Sequence, residues 1–420
     1  MALERKKIFV YAHWDGITAP FLMGCLYATP SSGKEIFSFE YDKGWLQSDY
    51  AQIIDPDLLL FEGGQYLNDE KSNFGIFMDS SPDRWGRLLM MRKEAAIARK
   101  EDRRPKTLME SDYLLGVYDQ NRMGGLRFRT AQQGAFLDDN KGMATPPFSA
   151  IRDLEFASVQ LEKEDAPDKP EYLKWLNILM APGSSLGGAR PKANIQDTDG
   201  SLWIAKFPSK NDQQDMGAWE MLAYRLAIQS GIEMAPSRIQ KFSHHQNTFL
   251  TQRFDRKIDG TRIHFASAMT LLGYTDGTDY QDGVSYLELV EFLMRNGADV
   301  DNDLKKLWER IAFNVCISNT DDHLRNHGFL LTNSGWILSP AYDINPTPNS
   351  NGLKLNISEN DNALDLDLVR EVAPYFRLKE NEANVIIKTI EQNVSQWQQI
   401  AIDIGIPRNE IELMENAFNH

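Results

Sequence analysis

Cysteine is nearly missing: Cys25 and Cys316 are the only two in 420 residues, too few for a disulfide framework or a cysteine zinc site. No apolar run approaches the roughly 20 residues of a membrane span. The opening MALERKKIFVYAHW lacks the apolar stretch and small-residue cleavage site of a secretory signal, so the expected address is the cytoplasm. An overall basic excess is missing as well, and a formal net charge of −15 argues against a chain that coats nucleic acid by itself. One local exception is RKEAAIARKEDRRPK at residues 92–106, with seven Lys/Arg against three acids. Its plain reading is a solvated helix end; the alternative is a contact surface for an acidic or phosphate-rich partner. Internal repeats and low-complexity tracts are absent.

What remains is an ordinary globular composition, 42% hydrophobic and 25% charged, in a chain long enough for two or three cores. Short β-like runs, IFVYAHW and EIFSFEYD, open it. In SSPDRWGRLLM the reading turns helical, with Ser81 as the expected cap, Pro82 in the first position and Asp83 at the positive end. MGGLRFR at 123–129 reads as a short strand and PEYLKWLNILMA at 170–181 as a helix facing a core. From residue 183 the pattern sharpens. GSSLGGARPKANIQ and SLWIAKFPS flank an Asp-Gly turn, the mark of a hairpin. DQQDMGAWEMLAYRLAIQSG reads as a helix stopped at Gly231, and NTFLTQRFDRK as another strand. Beyond about residue 260 the chain is mainly helical, broken by a second hairpin in GFLLTNSGWILSP. The expected class is α+β: a β-rich amino-terminal lobe followed by a mainly helical carboxy-terminal lobe.

Polar residues then crowd where a helix gives way to a strand. DLKKLWERIAFNVCIS is an amphipathic helix, and NTDDHLRNHGFLL follows it at 319–331. Phosphoryl transfer needs a phosphate cradle and a lysine, a carboxylate that orients the attacking hydroxyl, and an asparagine and an aspartate that hold metal ions. Asp321 and Asn326 have the separation that protein kinases give the catalytic aspartate and the metal-binding asparagine. Asp343, in SPAYDI, follows the hairpin where the second metal ligand belongs. Upstream, Lys206 is read as a mid-strand lysine and Glu220, on the next helix, as its ion-pair partner. Singly, each has a plainer reading: Asp321-Asp322 as a helix-end turn, Asp343 as a turn aspartate, Lys206 as an outward edge residue, His323 as a packed or capping histidine. Gly187-Gly188 could merely make a tight bend, because the Gly-x-Gly-x-x-Gly loop is absent. The ordered set is what points to a kinase.

Those segments resemble the HipA family of bacterial toxin kinases. SSLGGARPK is similar to the family's serine-containing phosphate loop, NTDDHLRNHGFL to its catalytic segment, SPAYDI to its metal-binding segment and FLTQRFDRK to its hinge strand. SSPDRWGRLLM and MGGLRF match signatures of its amino-terminal part, so the resemblance covers about residues 70–345. It implies a two-lobed protein-kinase-like fold divided as 1–145, 146–254 and 255–420: an amino-terminal region, a small-lobe core with phosphate loop and hinge, and a helical lobe. It implies ATP and Mg2+ as cofactors and Asp321 as the catalytic residue, with Asn326 and Asp343 as metal ligands. Nucleotide contacts are implied for Gly187, Gly188, Ala189, Arg190, Pro191, Lys192, Lys206 and Glu220. They are implied also for the hinge Gln252, Arg253 and Phe254, and for His323, Leu324, Arg325, Asn326, Tyr342 and Asp343. Ser185, beside Ser184, aligns with the serine that such kinases phosphorylate on themselves. The implied partners are a DNA-binding, HipB-like antitoxin, operator DNA through that complex, and a protein substrate such as an aminoacyl-tRNA synthetase. The departures are Asp322, where some relatives carry glycine, and Ile344-Asn345 after the metal aspartate, which fits this family but not the Phe-Gly of ordinary protein kinases. A small-molecule or lipid kinase, or a kinase-fold corepressor, are the competing readings.

Overall fold

The computed structural model describes residues 5–67, 71–137, 145–180, 188, 190–243, 245–349 and 351–418. It contains two compact units whose chain segments interleave. The first takes residues 1–210, 242–244 and 255–266; the second takes 211–241, 245–254 and 267–420.

The first unit is built on a five-stranded sheet. Its strands are β1 (Lys6–Ala12), β2 (Phe21–Ser31), β3 (Lys34–Tyr41), β4 (Gly64–Tyr66) and β5 (Leu126–Arg129), in the spatial order β4-β3-β2-β1-β5. The registers Ile8↔Leu26 and Leu26↔Phe39 put these apolar side chains on one face. There Phe77 of helix α2 (Gly75–Asp79, after the single turn α1, Lys43–Leu46) meets Phe39 and Phe128 at ring separations of 5.6 and 6.0 Å. Helix α3 (Arg84–Lys100) starts two residues later than the expected cap allows. The Ser81 hydroxyl donates back to the Phe77 carbonyl at 2.8 Å, so capping falls to Asp83, whose Oδ1 accepts from Gly86 N at 2.8 Å. The basic stretch at the end of α3 lies on solvent and finds nearby acids: Arg103 binds Glu94 at 2.6 Å, and Lys106 binds Asp112 at 3.0 Å. Helices α4 (Glu110–Leu115), α5 (Ile151–Leu161) and α6 (Tyr172–Met180) follow, then the hairpin β6 (Lys192–Gln196) and β7 (Leu202–Lys206). Lys206 is the last residue of its strand rather than mid-strand. Phe207 N donates to Pro191 O at 2.8 Å, but Pro191 has no N–H to return the bond, and the Arg190 guanidinium reaches Phe207 O instead at 3.4 Å.

The second unit opens with α7 (Met216–Gln229), which ends before Gly231 at φ 84°, and continues with the hairpin β8 (Ser237–Gln240) and β9 (Thr248–Gln252). After β10 (Phe265–Ser267) come α8 (Ala268–Leu271), α9 (Tyr286–Asn296) and α10 (Val300–Cys316). The hairpin β11 (Gly328–Thr332) and β12 (Gly335–Leu338) is next, and then α11 (Leu366–Val372), α12 (Glu380–Val394), α13 (Trp397–Ile404) and α14 (Arg408–Met414). Helix α10 is the core of this unit. Leu304, Leu307, Ile311 and Phe313 are fully buried, each stabilising by about 1.5–3 kcal/mol. Trp308 adds an indole bond to Val369 O at 3.0 Å. Near α7, Glu410 of α14 accepts from Asp215 N and from Trp219 Nε1, at 3.0 and 2.9 Å. Among the described residues no helix is long and apolar enough to cross a membrane.

Candidate active site

The way α10 ends sets the position of the polar cluster. Asn319 N bonds to Asn314 O and Ser318 N to Val315 O, the paired bonds of a Schellman cap, with Ser318 at φ 50°. Glycine is the usual residue at that left-handed position; here the Ser318 hydroxyl is held by Ala417 O at 2.9 Å. The chain leaves the helix sharply, and Asp321 and Asp322 separate. Asp321 is exposed and Asp322 is buried.

Asp322 Oδ2 accepts from Tyr286 OH at 2.5 Å, Asn314 Nδ2 at 2.8 Å and His327 Nε2 at 2.9 Å. Burial opposes charge on this carboxyl, yet His327 and the donated bonds hold it below the usual carboxylate range. Beside it a short turn (Leu324–Asn326) brings Asn326 back, and Asn326 Nδ2 donates to Asp321 O at 3.0 Å. His323 is half-buried and Leu324 buried in the same turn. The Arg325 carbonyl accepts from Tyr342 OH at 2.7 Å, which brings the SPAYDI segment against this turn. Tyr342 in turn lies 5.5 Å from the Phe254 ring, just past the end of β9, so Gln252, Arg253 and Phe254 reach the same neighbourhood. Asp343 sits at φ 58°, a left-handed conformation that a non-glycine residue adopts at a cost. The structure therefore brings Asp321, His323, Leu324, Arg325, Asn326, Tyr342, Asp343 and Phe254 together. Glu220 lies buried in α7 of the same unit.

In the first unit, Lys192 and Lys206 are direct partners across the β6–β7 hairpin, so both side chains leave one face. Two ammonium groups there need a counter-charge, and Lys192 Nζ finds one in buried Asp83 at 2.9 Å. Asp83 thus caps α3 and neutralises the lysine of GGARPK, which ties that segment to SSPDRWG. The sequence marked both segments without pairing them. Gly188 turns at φ 88°, a left-handed conformation that glycine adopts without the cost a side chain would bring. Arg190 and Pro191 lead into β6. Ser184, Ser185, Gly187 and Ala189 lie outside the described residues. A cavity of about 640 Å³ in this unit, lined in part by His13, Asp119, Arg127 and Arg262, holds none of these residues. Size alone does not pick out the chemistry.

The donor set fits magnesium bound together with nucleotide. Asn326 turns its amide N–H toward Asp321 O, which leaves the amide oxygen as the ligand atom, and Asp343 supplies a carboxylate. Both are hard oxygen donors. No group of three or more His, Cys, Asp or Glu gathers as a metal cage among the described residues.

The family model described as "HipA-like C-terminal domain" matches residues 184–397, half of the chain. The chain belongs to this family. A Sinorhizobium fredii protein named "Putative kinase Y4mE" is 29% identical over 182 residues, 38% of this chain and 41% of the relative. The serine/threonine-protein kinase toxin HipA of Shewanella oneidensis is 27% identical over 193 residues, 39% of this chain and 43% of that protein. These alignments span less than half the length of either relative. The solved complex of Shewanella oneidensis HipA with HipB and operator DNA contains a chain that matches with a TM-score of 0.64 at 18% identity, over 98% of this chain and 94% of that one. The HipA likeness extends to the whole fold, which is α+β and protein-kinase-like.

Proposed function

We propose that this HipA-family chain is an ATP- and Mg2+-dependent serine/threonine protein kinase acting as the toxin of a toxin–antitoxin pair. The observation that carries the reading is the exposed Asp321 carboxylate, set beside buried Asn326 and a strained Asp343. Asp321 orients the substrate hydroxyl and takes its proton, while Asn326 and Asp343 hold the metal. The metal, when bound, neutralises charge on the transferring phosphate. Gly187 to Lys192 and Lys206 grip the phosphates, Glu220 is a further nucleotide contact, and Gln252 to Phe254 read the adenine. The segments 1–145, 146–254 and 255–420 are the corresponding functional parts.

By analogy with the solved relative, a DNA-binding, HipB-like antitoxin holds this chain. At a net charge of −15, the operator affinity of such a complex comes mainly from the basic partner. The target is a translation-related cytoplasmic protein. Phosphorylation of Ser185 switches the kinase off, because a group of charge about −2 cannot share the loop with the phosphates of ATP. Intact-mass analysis and phosphosite mapping after incubation with Mg-ATP test the reading. Self-phosphorylation at Ser185 with loss of ATP binding is expected; phosphate only elsewhere, or undiminished ATP affinity in the Ser185-phosphorylated form, removes the switch. No protein phosphorylation at all removes the protein kinase in favour of a small-molecule kinase or a corepressor.

A further inference from the structure

The two adjacent aspartates look interchangeable in sequence, but only one faces solvent. We infer that Asp322 is the positioning residue of this site: it locks the turn that carries Asp321 and Asn326 to the segment that carries Asp343. The inference rests on the kinase reading above and adds a part that the reading does not need.

The lock is a continuous path of hydrogen bonds. Three donors converge on one oxygen of Asp322, from the start of α9 (Tyr286), the last turn of α10 (Asn314) and the residue just before β11 (His327). All four groups are almost wholly buried. Because Tyr286 and Asn314 both donate, Asp322 must be the acceptor, and His327 carries its proton on Nε2. From Asn314 the path continues: its Oδ1 accepts from Asn319 Nδ2 at 3.0 Å. Asn319 Oδ1 then accepts from Asn345 N at 3.2 Å, two residues past Asp343. Every amide in the path has its donor and acceptor fixed by its neighbours, so neither asparagine can flip without breaking two bonds. The network runs under both loops and is anchored on the Asp322 carboxylate. Asp343 needs such support, since its left-handed backbone persists only where the surroundings hold it. Glycine at position 322, the expected family alternative, would leave Asn314 and His327 without their acceptor; in this chain the carboxylate is built in.

The test turns on the acceptor oxygen. Asp322→Ala leaves three buried donors facing nothing, and the turn shifts to relieve them. Displacement of Asp321 by about 1 Å should lower the rate of phosphate incorporation at saturating Mg-ATP by about 100-fold. The Mg-ATP concentration giving half that rate should rise as well, since the same network holds Asn326 and Asp343. Asp322→Asn gives up the charge but keeps an oxygen where the three donors meet, so it should recover at least about 10-fold over the alanine variant. Should Asp322→Ala not fold, Tyr286→Phe removes one donor with the ring kept, and it should cost about 10-fold in rate. An unchanged rate in Asp322→Ala or in Tyr286→Phe, or an asparagine variant no faster than alanine, overturns the inference while the kinase reading stands. A wild type that transfers no phosphate takes the kinase reading and the inference down together.

Discussion

Asp343 offers a way to separate fold from chemistry at a single position. Its φ of 58° lies where L-residues are disfavoured. An alanine held there costs roughly 1–2 kcal/mol over a right-handed conformation, while glycine bears no such cost. Glycine also gains freedom in the unfolded chain, which returns about 0.4–1 kcal/mol in favour of alanine. Asp343→Ala and Asp343→Gly both delete the carboxylate, so whatever the aspartate binds cancels in the comparison. Glycine should then be the more stable variant by about 0.5–1 kcal/mol, a difference of roughly 1–3 °C in Tm. Both should lose metal-dependent nucleotide binding to the same degree. Thermal unfolding beside calorimetric titration with Mg-ATP, with and without Mg2+, reads the two effects apart. Alanine as stable as glycine would mean that the backbone is not left-handed in solution. Wild-type Mg-ATP affinity in either variant would remove Asp343 from the metal site.

Two further outcomes are expected. Lys206→Ala should lower phosphoryl transfer strongly with the fold intact; a change below about 0.5 kcal/mol in stability with full activity would return Lys206 to a surface role. Asp55 is buried in the first unit, and burial pushes its carboxyl from 3.8 up to about 6 against the opposing bonds from Ile76 N and Asp57 N. Between about pH 4 and 6 the unfolded chain releases this proton and the folded chain keeps it. The contribution of Asp55 is thus present below the unfolded value and is lost as pH rises through 6, by about 3 kcal/mol. Denaturant unfolding across that range should show wild type losing stability relative to Asp55→Asn as pH rises; a flat difference contradicts it.

Much of the candidate site could be proposed from the sequence because its residues lie close together along the chain. Asp321, Asn326 and Asp343 lie within one helix–turn–hairpin passage, and their spacing carries the signal. The strand and helix periods were equally plain in β1, β5, α6 and α10. What stayed hidden depends on bonds between distant segments. Nothing in SSPD says that Ser81 will bond backward to Phe77 and leave the cap to Asp83, nor that Asp83 will meet Lys192. The inward turn of Asp322 is set by Tyr286, 36 residues earlier. The interleaving of the two units, with residues 255–266 returning to the first, follows from packing rather than from any break in composition. Lys206 ends its strand because Pro191, just before the partner strand, lacks a donor.

If Asp321 orients the attacking hydroxyl and does not grip the nucleotide, transfer and binding come apart when its carboxylate is removed. Phosphate incorporation and Mg-ATP affinity should therefore be measured on the same preparations of wild type and Asp321→Ala. Incorporation by the wild type, none by Asp321→Ala, and Mg-ATP affinities within a few-fold of each other are expected. Full incorporation by Asp321→Ala would contradict the assignment.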